Sequence, residues 1–465
     1  MKFHIASLLL LLLVFGSCKK ENFITSGDAV LSTSESSLKF DTVFTSTGSV
    51  TQFFKIYNDN NQPLRISSVK LAGGAASYFK INADGLVGPE VNNIELDAND
   101  STYVFVTVSI NPSSTDLPFV INDSISINFN GKKEWVRLEA WGQNARFIRS
   151  RVIASDETWD NTRPYVILGG LQVDTNVTLT IQKGTKIYVH ADAPILIDGT
   201  LRASGEKFDS TRVIFIGDRL DLPYREFPAS WPGIYFRGES KDNLLEFVSI
   251  LNAYQGLVAD QPSSNVNPKL TLKQCIVDNC YDAGIFGLRS SIKAENCLIS
   301  NCGKNIVLAY GGVYNFNHCT SVAYSNSFIT HKEPVLLLTD FIKINNSILT
   351  APLSANFTNC IFWGDNGTAE DEVVTSKVGS SAFAVDFKNS LWKIKTAPSN
   401  TTVSNMIVNE DPQFDSVNNQ KRIYDFRLKE NSPAINKGQN TGLSLDLKGA
   451  NRPVGLPDLG CYEKQ

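Results

Sequence analysis

Between Gly217 and Pro232 the chain gathers Asp218, Arg219, Asp221, Tyr224, Arg225, Glu226 and Trp231 with three prolines, in a region otherwise built of short apolar runs. Aromatic rings stack on the C–H faces of sugars, while carboxylates and guanidinium groups bond their hydroxyls, so these seven are candidate ligand-binding residues for a glycan. The same residues also suit a loop that satisfies itself through salt bridges. Trp363 and Trp392, on neighbouring repeats, pose the same choice between a sugar platform and core filling. Catalysis asks for more: facing carboxylates for glycoside hydrolysis, or a Lys/Arg base, a substrate-binding Arg and usually Ca²⁺ held by several carboxylates for β-elimination. Glu246, Asp278, Asp282 and Glu295 are scattered, and His190 and His331, whose nearest acids in sequence are Asp192 and Glu333, belong to no catalytic motif. Catalytic residues are therefore unassigned, and Ca²⁺ enters only if the protein is a lyase.

The elements that must position such residues show in a repeat. Leu270-Thr-Leu272-Lys-Gln274-Cys275-Ile276-Val277-Asp-Asn279-Cys280 recurs 22 residues on as Ile292-Lys-Ala294-Glu-Asn296-Cys297-Leu298-Ile299-Ser-Asn301-Cys302, and again as Tyr314-Asn-Phe316-Asn-His318-Cys319. Units of this length made of short alternating strands cannot bury their apolar faces alone, and close a core only by stacking. In a parallel β-solenoid, equivalent residues form columns about 4.8 Å apart. One column is then Cys275, Cys297, Cys319 and Cys360. Beside it stand Gln274, Asn296, His318, Asn359 and Asn389, amides expected to pass hydrogen bonds from coil to coil across a tight turn. Asn346 and Asn359 are too close in sequence to share that column, and Asn359 is the better member. Besides Cys18 there are seven cysteines, an odd number, so complete pairing is impossible. Cys280 and Cys302, one coil apart, either pair or stay buried free thiols, the second being favoured. A stacked column does not converge tetrahedrally, so no metal is expected.

With these motifs, the chain resembles a right-handed parallel β-helix of the pectate-lyase-like superfamily from roughly Phe147 onward. Val177-Thr-Leu179-Thr-Ile181 and Gly199-Thr-Leu201-Arg-Ala203-Ser-Gly205 are similar to the first coils of exported β-helix proteins. Ser432-Pro433-Ala434-Ile435-Asn436, Asp446, Arg452-Pro453 and Pro457-Asp458 to Glu463 resemble the C-terminal closure of secreted members. That resemblance implies a cap from about 430, carried by Asp446, Arg452, Asp458 and Glu463, with Arg452 pairing Asp446 or Asp458 and the segment closing the solenoid's open end. The fold implies no reaction. The Asp-Asp and Gly-His-Gly signatures of polygalacturonase-like enzymes and the Arg-x-Pro-x-x-Arg of pectate lyases are absent.

Upstream, residues 37–146 show about seven alternating strands and the Phe129-Asn130-Gly131-Lys132 hairpin signal, which reads as a β-sandwich. Tyr57-Asn58, Pro63-Leu64-Arg65-Ile66 and Val106-Thr-Val108-Ser-Ile110-Asn111-Pro112 resemble immunoglobulin-like domains of cell-envelope proteins. Lys2, the apolar run Ile5–Phe15 and Phe15-Gly16-Ser17-Cys18 resemble a bacterial lipoprotein signal, with 1–17 removed and Cys18 acylated; the apolar run is too short to span a bilayer. Lys19 after that cysteine implies placement in the outer membrane, in either leaflet. The polar stretch 18–36 reads as a tether.

The expected protein is therefore all-β, an immunoglobulin-like sandwich followed at 147–465 by a β-helix. A hydrophobic content of 42% fits globular units, and a net charge of −4 supports no nucleic-acid partner. The reading is a monomeric, lipid-anchored envelope protein presenting a non-catalytic glycan- or protein-binding surface. The alternatives are a lyase or hydrolase of an acidic polysaccharide, or a purely structural role.

Overall fold

The computed structural model describes residues 22–44, 49–110, 119–345 and 347–465. Cys18 with its preceding segment, Asn111-Pro112 and Asn346 lie outside the described residues. The described chain is almost wholly β and divides between Asn144 and Ala145 into two compact units.

In the first unit, strands such as Ser101–Val108 alternate buried and outward residues, which is what one shared core between two sheets demands. Both sheets have five strands. Phe54, Ile56, Val104 and Val106 from one pack with Phe40, Ile66, Ile125 and Val136 from the other. Asn130 and Gly131, at φ 43° and 77°, make the expected hairpin turn. Leu31–Thr33, within the stretch expected as tether, is an edge strand paired antiparallel with Ile56–Asn58. Leu31 and nearby Ala29 are buried, so this part of the chain has apolar surface to contribute.

The second unit is a parallel β-helix: 26 strands in one continuous sheet, each coil paired in register with the next. Its coils have three faces. On the first, Leu270, Ile292, Tyr314 and Ala355 stand in line, as do Leu272, Ala294, Phe316 and Phe357 two residues on. The second carries Ile276–Asp278, Leu298–Ser300, Thr320–Tyr324 and Ile361–Asp365. The third carries Gln255–Asp260, the first halves of Ala283–Glu295 and Lys304–Asn317, and Leu336–Thr339.

Corners explain the amides. Gln274, Asn296, His318, Asn359 and Asn389, at the turn from first to second face, all have positive φ between 46° and 56°. Asn tolerates that left-handed region better than other side chains. Inside the turn Cys275, Cys297, Cys319 and Cys360 are buried in the expected column, each thiol beside the next. Burial pushes the thiols of Cys275, Cys297 and Cys319 well above their ordinary range. All seven described cysteines are free; the Cys280 amide donates to the Cys302 sulfur at 3.4 Å.

The amide column departs from expectation. Asn296 is buried with neither side-chain atom hydrogen-bonded. Asn359 Nδ2 donates to His318 Nε2 at 2.7 Å, but the rest of the column turns outward: His318 Nδ1 donates to the Asp458 carbonyl, Asn359 Nδ2 to that of Gln439, and Asn389 Nδ2 to that of Lys437. A coil-to-coil amide bond instead lies at the next corner, where Asn279 Nδ2 donates to Asn252 Oδ1 at 2.7 Å.

The segment these amides hold is the expected cap, and it lies elsewhere. It follows the hairpin of Phe414–Asn418 and Ile423–Leu428. Ala434, Leu447, Leu459 and Cys461 pack with Leu298, Ile361, Trp363 and Leu391 on the outside of the second face. It is thus a strap along the solenoid's flank rather than a plug in its end, because that face presents apolar residues outward as well as inward. Arg452 pairs with Glu463 at 3.1 Å, both buried, rather than with Asp446 or Asp458. Glu463 Oε1 accepts from Val454 N and Oε2 from Asp458 N. Asp446 accepts from Lys448, Ala450 and Glu463 amides, and Asp458 from Asn436 and Lys464 amides. Burial raises the carboxyls of Asp458 and Glu463.

Candidate functional site

At the corner between second and third faces the coils differ in length. Two long excursions leave there, 218–231 and 325–335, and between them the coils turn tightly at Asn252, Asn279 and Asn301. Two residues past each asparagine stand Tyr254, Tyr281 and Gly303. The two rings lie one above the other, centroids 5.9 Å apart at 26°, and 45% and 54% exposed. Where a third ring would continue the stack there is glycine. A Cβ on Gly303 would run into the Tyr281 carbonyl oxygen, so the chain there approaches the preceding coil too closely for a side chain.

The missing rung leaves a slot of about 370 Å³ beside Tyr281 and Gly303, bounded by the excursion residues Phe328 to Thr330, Lys332 and Glu333. Lys304 Nζ lies 3.2 Å from Asp282 Oδ1 at its edge, and Gln255 Nε2 donates to Asp282 Oδ2 at 2.7 Å. Phe328 meets Phe227 of the lower excursion edge-on at 4.9 Å, and Phe227 packs against Tyr224 at 5.3 Å. The slot thus offers an aromatic face, with hydrogen-bonding groups on adjacent coils to fix a ring's orientation.

The residues singled out in 218–231 are mostly engaged with their own fold. Asp218 bonds His190 Nδ1 at 2.7 Å, and burial raises its carboxyl above the usual range. Arg219 forks onto Asp221 at 2.8 and 3.0 Å and covers the Tyr224 ring at 4.1 Å. Glu226 pairs with Arg422 at 3.1 Å, and the carbonyls of Arg225 and Glu226 accept from Asn252 and Asn279. Trp231 is not available to a ligand: it is 1% exposed, in the core, its indole donating to the Leu251 carbonyl. Trp363 and Trp392 are buried too, so they form no platform.

Both histidines pair with acids on adjacent coils rather than with the acids nearest them in sequence. His190 meets Asp218, and His331 meets Glu372 at 2.9 Å inside the fold, with His331 Nδ1 and Glu372 Oε2 left without hydrogen bonds. Among the described residues no group of three or more His, Cys, Asp or Glu converges to hold a metal. Tyr254, Tyr281 and Gly303 escaped the sequence reading. Their signal was present, since each follows the Asn of the repeat by two, but the repeat was read for what it buries.

No family model matches the chain, and no curated protein matches it. Among solved structures, a family 123 glycoside hydrolase from Clostridium perfringens that hydrolyses glycolipid glycans is similar over 24% of this chain and 26% of that one, at 11% identity and a TM-score of 0.18. An overlap that small bears on neither fold nor function.

Proposed function

We propose that this is a lipid-anchored protein of the outer membrane whose β-helix binds glycan through the slot at Tyr281, one sugar ring stacking on the tyrosine. The observation that carries the reading is the interrupted tyrosine stack. Two ordered, half-exposed rings and a glycine-enforced gap make a site of ring dimensions, and Asp282, Lys304 and Gln255 stand where hydroxyls would be bonded. Carboxylates and ammonium groups are balanced around it, Asp282 and Glu333 against Lys304 and Lys332, which suits a neutral sugar. The anchor reading rests on the N-terminal sequence alone. A glycan array probed with the purified protein and its Tyr281→Ala variant tests the binding reading: neutral glycans retained by the parent and lost by the variant support it, and identical profiles reject it.

A catalytic reading has one observation in its favour, the exposed His190 imidazole held by the Asp218 carboxylate, an arrangement suited to a general base. Release of reducing ends from an array-positive glycan, abolished by His190→Ala, would replace binding with turnover.

A further inference from the structure

The corner where the third face turns into the first repeats the same design with different chemistry. There the coils turn tightly at Arg289 and Tyr310, with φ 49° and 59°. The coil before them departs through 262–268, and the coil after through the hairpin of Phe341–Ile344 and Ser347–Thr350. The gap is a groove of about 520 Å³, with Val266, Arg289, Lys293, Val313 and Pro352 among its lining residues. No carboxylate lines it. Lys293 is paired with Glu295 at 2.7 Å, whereas the Arg289 guanidinium rests over the Tyr310 ring at 5.4 Å and has no carboxylate partner among the described residues. Asp242, below the groove, is occupied by the amides of Asn265 and Asn267, both at 2.8 Å. Val313 is 62% exposed and Val266 fully exposed, so apolar surface flanks the cation.

We propose that this groove is a second binding site, for an acidic polysaccharide, in which Arg289 takes a sugar carboxylate or sulfate in its planar fork while Val266, Val313 and Pro352 lie against ring C–H faces. A peptide is disfavoured because the coils here are hydrogen-bonded to neighbours on both sides, leaving no open edge for an added strand. The site stands apart from the slot at Tyr281 and needs no part of it.

The test titrates the full-length protein with pentagalacturonate, its fully methyl-esterified form and a glutamate pentapeptide. The free acid is expected to bind about tenfold or more tightly than the ester, and to weaken as salt rises. Arg289→Asn, which tolerates the left-handed backbone but lacks the charge, is expected to lose that preference, and Arg289→Lys to keep part of it. Val313→Asp, at an exposed position where folding is not at stake, is expected to repel the acid, while Tyr281→Ala leaves its binding unchanged. Equal affinity for acid and ester, indifference to Val313→Asp and Arg289→Asn, or tighter binding of the peptide would each overturn the proposal.

Discussion

His318 shows how one position answers two demands. Its backbone sits in the left-handed turn of the amide corner, while its imidazole joins Asn359 on one side and the strap carbonyl of Asp458 on the other. Burial and the nearby Arg452 guanidinium hold its pKa down to about 2, so it stays neutral in the folded protein. The unfolded chain binds a proton near pH 6.5, hence stability is unaffected above that pH and falls as pH drops below it towards the folded value. The variant His318→Asn, the residue used elsewhere in the column, is expected to flatten the loss of melting temperature between about pH 6.5 and 4. An unchanged slope in that window would show that other groups set it. The left-handed amide and buried thiol were legible in the repeat. What the amide bonds to was not, since the strap that turns it outward lies some 140 residues away in sequence, at Asp458.

At the scale of the element, the strap depends on a buried ion pair. Arg452 and Glu463 are 1% and 0% exposed, and Glu463 also accepts two backbone amides. Removing one charge strands the other, so Glu463→Ala is expected to cost about 3–5 kcal/mol in denaturant unfolding, and Arg452→Met with Glu463→Leu less than the single change. A double variant as unstable as the single would show that the backbone bonds, rather than the ion pair, hold the strap. The C-terminal motif announced a closing element correctly in kind but not in place. An isolated motif says which side chains pair locally, and even there Glu463, which also accepts from the Val454 and Asp458 amides, takes the place of the expected carboxylates. Which surface the element covers depends on where outward apolar residues accumulate. Ile276, Leu298, Ile361 and Leu391 do so along one line interrupted by Thr320, a pattern visible only once the register is known.

For the whole molecule, each unit has a hydrophobic core of its own. Units with separate cores unfold as separate cooperative transitions unless strongly coupled. Calorimetry is expected to resolve two transitions, with Phe316→Ala in the solenoid lowering one and Phe54→Ala in the sandwich the other; both moving together in either variant would disprove independence. The all-β character and the division of labour between sandwich and solenoid were readable from alternation and repeat length. The candidate sites were not, because each arises from unequal coil lengths at a corner: the most regular coils form the floors and their irregular neighbours the walls.

The strap carries a consequence for biosynthesis. A ribosome releases the solenoid's windings before the covering segment, so a growing chain displays a greasy flank until that segment emerges. A premature stop a few dozen codons early would yield a protein with every winding present yet prone to clump, its failure betrayed by dye binding and sedimentation rather than by any loss of β signal.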